Sequence, residues 1–155
     1  MKNGKNGIKN GQLLWRKNIR MANTQKKPLN PILSGSVSKI ENSFIDELAK
    51  LIPDRKISRQ FKITRKKSGY YFYDLMLDNK FIIEFNGNFW HANPTIYDKN
   101  WSNPISNQSY SEIHQNDTDK KILAESLGYS YIVIWEKDYT DNPEKCLNEI
   151  LNKIP

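Results

Sequence analysis

The chain has 155 residues, 24 of them Lys or Arg against 17 Asp or Glu, for a formal net charge of +7. That length suits one domain with a proper core and at most an appendage, and the basic balance suggests an anionic polymer as partner, nucleic acid before membrane. No apolar run reaches spanning length and no signal-peptide core opens the chain, so the sequence predicts a soluble, cytoplasmic protein with no membrane partner, while the single Cys146 excludes an internal disulfide and a multi-cysteine zinc site.

The charge is unevenly placed. No acidic residue precedes Glu41, and nine of the basic residues lie before it. Residues 1–37 read as a basic arm or linker, punctuated by Gly4, Gly7 and Gly11 and closed by Pro28, Pro31 and Gly35. Between these, Arg16, Lys17 and Arg20 are interleaved with Leu13, Leu14, Trp15, Ile19 and Met21, as in a short basic helix. Contact with DNA through those three cations stands beside the plainer reading of a solvated linker.

The domain proper is expected over residues 38–155. Ser38 and Glu41 form an S-x-x-E capping box, and Ile40, Phe44, Leu48 and Leu51 follow at helical spacing until Pro53 stops the run. On local grounds Glu41 is a capping side chain. Residues 55–67 then alternate cations with Ile57, Phe61 and Ile63, a half-exposed strand in which Arg59 and Lys62 could hold a phosphate backbone. An edge strand protected by lysines explains the same pattern.

From Tyr71 to His91 the sequence predicts two buried strands around a turn at Asp78-Asn79. Asp74 and Glu84 interrupt the apolar runs. A two-residue loop would put them on opposite faces; a three-residue loop, Asp78 to Lys80, sets Leu77 opposite Phe81 and Asp74 opposite Glu84. The second register is the one expected here. Facing carboxylates repel unless one is protonated or a divalent cation lies between them, so a metal site is expected, with strand-end acids turned to solvent as the alternative.

The Asn-, Pro- and Ser-rich stretch from Ala92 to Ser109 is long for an idle connection and reads as a functional loop. A helix is expected from about Glu112 to Gly128, with Ile113, Ile122, Leu123 and Leu127 as its apolar face and Asp117 in its first half. Tyr129 to Trp135 reads as a buried strand. Asn142-Pro143 caps a last helix that runs to Ile154, with Leu147, Ile150, Leu151 and Ile154 inside and Cys146 as a packing residue. This order predicts an α/β fold, a small mixed sheet with a central hairpin flanked by helices.

The series Glu41, Asp74, Glu84, His91, Asp117, with IIEFNGNFWH and the later GYSYIVIWE, resembles the very-short-patch repair (Vsr) endonuclease family and, more closely, its phage and intron homing relatives with an EDxHD motif. These belong to the PD-(D/E)xK, restriction-endonuclease-like group. The resemblance spans about Ser38 to Glu136 and is most specific at Gly87 to His91. It implies a metal-dependent DNA endonuclease acting on double-stranded DNA in a bacterial or phage-infected cell, with Mg²⁺, or Mn²⁺, held by Asp74, Glu84 and the Phe85 carbonyl. It further implies that His91 handles a proton, that Asp117 orients it, that Glu41 supports the site, and that Phe89 and Trp90 wedge between base pairs. Asn88 stands where the repair enzymes have a zinc-ligand cysteine, so no structural zinc is expected and mismatch-repair nicking is the weaker reading. Asn86 replaces a lysine or histidine, which keeps a cleavage-deficient DNA-binding module as the alternative.

Overall fold

The computed structural model describes residues 38–65 and 68–155. The predicted arm, with Arg16, Lys17 and Arg20, lies outside the described residues. The chain divides into two compact units, Met1–Asp54 and Arg55–Pro155.

In the first unit, helix α1 spans Lys39–Leu51. Ser38 caps it, its Oγ accepting the Glu41 N–H at 3.1 Å, and Phe44, Ile45 and Leu48 are buried. The Ile52 N–H closes the helix on the Leu48 carbonyl, and Pro53 follows directly.

The second unit is a four-stranded mixed sheet with helices. Its elements are β1 (Ile57–Thr64), β2 (Tyr70–Leu77), β3 (Phe81–Asn86), α2 (Tyr110–Ser126), β4 (Ser130–Trp135), α3 (Glu136–Asp141) and α4 (Pro143–Lys153). The strand order is β1-β2-β3-β4; the first two pairings are antiparallel, and β3 and β4 are parallel. A parallel neighbour needs a long crossover, which here is the Gly87–Ser109 loop with α2. The predicted register is present: Leu77 pairs with Phe81, Met76 with Ile82 and Leu75 with Ile83. Asp78 and Asn79 both take positive φ, 51° and 55°, residue types that tolerate the left-handed region. The turn is tied back to the start of β1, because Asp78 pairs with Arg55 and its Oδ1 accepts the Lys56 N–H.

Several expectations need correction. Ile122 and Leu127 are more than half exposed; α2 instead buries Ile113 and Ala124, and Leu123 packs at the edge of the core. The helix also starts earlier than expected, with a full capping box from Ser109 and Glu112. β4 is half-buried, since it forms a sheet edge and only Ile132 and Ile134 are inside. β2 is covered on both faces only from Leu75 to Leu77, whereas Tyr70 and Phe72 face solvent. A short helix, α3, follows β4 directly from Glu136 and is not among the expected elements. The last helix starts as expected and runs to Lys153, with Leu147, Ile150 and the capping Ile154 buried but Leu151 only half-buried. The Asn142 side chain accepts the Lys145 N–H, Pro143 fills the first turn, and Cys146 is buried beside Leu147 and Ile150, where burial pushes its thiol pKa up.

Candidate active site

The site is built where the ladder of β2 is interrupted. The ladder with β3 stops at Leu75, and the ladder with β1 skips the position where Gln60 would face Asp74. Gln60 has φ 51°, the left-handed region, rare for such a residue in mid-strand. Side chains take over the bonding at this gap. The Asp74 N–H donates to Glu84 Oε1 at 3.2 Å, and the Phe85 N–H donates to Asp74 Oδ2 at 2.8 Å. Each carboxylate is therefore held by the other residue's strand, and the two acids come together as the three-residue loop requires.

Glu84 is inside and Asp74 partly so. Glu84 is 2% exposed and Asp74 half-buried, and burial is the first cause that raises the pKa of each. Glu84 is pushed up to about 7, with the Asp74 charge adding to the desolvation. Burial raises Asp74 as well, opposed by the Phe85 N–H, Lys120, His91 and Arg59, which favour its ionised form.

Lys120 is the residue that sequence reasoning missed. From α2 it places Nζ 2.7 Å from Glu84 Oε2, a nearly dry ion pair, and its carbonyl accepts the Tyr73 hydroxyl at 2.9 Å. Only its spacing could have found it: Lys120 lies three residues after Asp117 on one helix, so both side chains leave the same face.

Asp117 does what the sequence anticipates in position. Its Oδ2 lies 2.8 Å from His91 Nδ1, and both groups are half-buried. One residue on, the Ala92 carbonyl meets Nε2 of His114, the other histidine, at 3.0 Å. The backbone at Ala92 has φ 46°, so α2 grips the histidine loop at a strained point through two side chains three residues apart. The charges of Glu84, Asp117 and Asp74 all act on the Tyr131 hydroxyl, whose pKa is driven far up, first by burial. These acids therefore belong to one electrostatic cluster.

Comparison with protein-family models, curated proteins and solved structures finds no match. The site is therefore read from its own geometry.

Its loop is held by asparagines. Buried Asn93 donates from Nδ2 to Asn88 Oδ1 at 2.7 Å and accepts the Thr95 N–H and hydroxyl, while the Asn93 N–H returns to the Asn88 carbonyl. Asn88 in turn donates its N–H to Glu136 Oε2 at 2.8 Å and accepts the Lys137 N–H, which joins the loop to the start of α3. Phe89 sits edge-on between Trp90 and Trp101, and the Trp90 ring is 56% exposed.

The remaining predicted residues differ in their surroundings. Arg59 is half-buried and its charge reaches Asp74, whereas Lys62 is exposed with Nζ over the Tyr70 ring. Asn86, at the end of β3, is buried. Glu41 belongs to α1 of the first unit, where its N–H is bonded to Ser38.

The donor chemistry fits a hard cation. Among the described residues no three His, Cys, Asp or Glu side chains converge as a metal site, but Mg²⁺ commonly takes one or two carboxylates and completes its shell with water and phosphate. Two adjacent carboxylates whose ionised forms are disfavoured by burial are a charge arrangement that a divalent cation relieves.

Proposed function

We propose that the protein is a metal-dependent endonuclease that hydrolyses phosphodiester bonds in double-stranded DNA, of the homing or mobile-element kind. The observation that carries this reading is the convergence of a buried and a half-buried carboxylate, facing each other, with a histidine–aspartate pair 2.8 Å long whose histidine acts on Asp74. The E, D, E, H, D order of the sequence and the basic balance of the chain support it.

Asp74 and Glu84, with the Phe85 carbonyl, would hold Mg²⁺ or Mn²⁺, which when bound polarises a phosphate and lowers the pKa of water. The rest is the work of side chains. With Nδ1 engaged by Asp117, His91 keeps Nε2 as the atom that accepts a proton from an attacking water or gives one to the leaving oxygen. Asp117 fixes the tautomer and stabilises the imidazolium. Lys120 neutralises one Glu84 oxygen and keeps the pocket from being purely anionic when a phosphate approaches. Phe89 and Trp90, on the same loop as His91, offer an apolar wedge toward a base step.

The test is cleavage of supercoiled plasmid in Mg²⁺ or Mn²⁺ by the intact chain, Asp74→Asn and His91→Ala. Nicking or linearisation by the intact chain, lost in both variants, supports the reading. Salt-sensitive binding without cutting by the intact chain would replace it with a DNA-binding module.

A further inference from the structure

The outer half of the hairpin β1–β2 carries a surface that the acidic site does not use. From Arg55 to Tyr73 the sequence has seven Lys or Arg residues and no Asp or Glu. On this cationic stretch stand two bare rings: Tyr70 is 52% and Phe72 54% exposed, although the other half of the same strand is buried. Tyr70 pairs with Thr64 and Phe72 with Lys62. The two rings are thus alternate residues of one strand, about 7 Å apart along it. A cation attends one of them: Lys62 Nζ lies 4.2 Å from the centre of the Tyr70 ring, whereas the Arg65 guanidinium lies over Tyr71, whose side chain leaves the opposite face of the strand.

A solvated strand face ordinarily carries polar side chains, so two large rings standing there contribute little to the core and ask for a partner. We infer that this face binds an unpaired stretch of nucleic acid, with Tyr70 and Phe72 each stacking on a base and Lys62 meeting the phosphates. A stretch with cations and no acid among them selects a polyanion. The rings decide between paired and unpaired strands. A duplex offers phosphates and groove edges but keeps its base faces stacked away, which leaves two exposed rings with nothing to do. An unpaired strand opens those faces, and stacking on them tolerates any sequence. Asp74 follows Phe72 by two residues on the same strand, so a strand opened near the acidic site has a platform beside it. The proposal rests on the nucleic-acid reading of that site, but it does not need cleavage.

The experiment uses the full chain in EDTA and measures fluorescence anisotropy of a labelled oligothymidine and of a duplex of equal length. Tyr70→Ala combined with Phe72→Ala weakens oligothymidine binding about tenfold or more and leaves duplex binding within about twofold. Phe72→Trp keeps the single-strand affinity, and Lys62→Ala lowers the salt slope by about 1. Circular dichroism confirms that the exposed substitutions leave the fold intact. Unchanged oligothymidine affinity in the double variant, or an equal loss on both nucleic acids, overturns the proposal. Plasmid cutting by the same proteins separates the two ideas. A chain that cuts but whose rings do not matter for binding loses the surface and keeps the nuclease; a chain that never cuts but depends on its rings keeps the surface and loses the nuclease.

Discussion

On the proposed reading His91 moves a proton only while its ring is held in one orientation, and the bond that its Nδ1 donates to Asp117 Oδ2 does this. Asp117→Asn can supply an N–H to Nδ1 where a carboxylate stood, which favours the wrong tautomer. Cleavage is expected to fall about 10²- to 10⁴-fold with little change in DNA affinity, measured as single-turnover rate and Kd on one duplex. Lys120 is the second residue on which the site turns. It is the cation on an almost fully buried glutamate, so removing it strands a charge. Lys120→Met is expected to cost roughly 3 kcal/mol of stability at pH 8 by urea unfolding. The cost is much smaller at pH 5, where Glu84 is already protonated in the folded chain. A loss that is the same at both pH values would mean that Lys120 acts through packing alone.

The loop from Gly87 to Ser109 shows how an irregular element can be rigid enough to present a histidine. Asn93 and Asn103 are buried, and their side-chain oxygens accept backbone N–H groups two or three residues onward, the local bonding that asparagine performs well. Asn93→Ala removes the bridge to Asn88 and the bonds from Thr95 together. It should lower stability by about 1–2 kcal/mol, speed amide exchange from Asn88 to Tyr97, and reduce cleavage by more than its effect on folding explains. Elements of this kind were unequally legible from sequence. The hairpin register followed from turn chemistry, because Asp78 and Asn79 accept positive φ and only one loop length faces Asp74 with Glu84. The histidine–aspartate pair needed the order of polar residues along the chain, and the Lys120–Glu84 pair was hidden because 36 residues separate its members. The face of α2 was misjudged for a related reason. Ile122 and Leu127 satisfy helical spacing, yet small Ala124 is the residue that seats the helix against Met76 and Ile82. Periodicity counts apolar residues and does not weigh how closely a small one lets two elements approach.

At the scale of the whole molecule, the acidic cluster couples folding to pH and, on the proposed reading, to cation binding. A carboxyl whose pKa is raised on folding stabilises the folded chain while both states are protonated, and it costs stability once the folded state must ionise. Glu84 moves from 4.5 to about 7, so between those values the folded chain holds a proton that the unfolded chain has released. Stability without metal should therefore fall as pH rises through that window, by on the order of 3 kcal/mol, and then level off. Asp74 is raised too and acts in the same direction from 3.8 upward. Glu112, lowered by its bonds to Ser109, has the opposite sign, but its effect lies below 4.5 and outside the window. A cation on the two carboxylates reverses the trend, because it binds their ionised forms and only in the folded chain. Thermal unfolding in EDTA should thus give a Tm that declines from pH 4.5 to 7, and added Mg²⁺ should raise Tm more at pH 8 than at pH 5. Glu84→Gln flattens the decline, since the group that titrates is gone. A Tm in EDTA that climbs through the same window would show that the pair is ionised without help, and the electrostatic argument for a cation between Asp74 and Glu84 would fall with it.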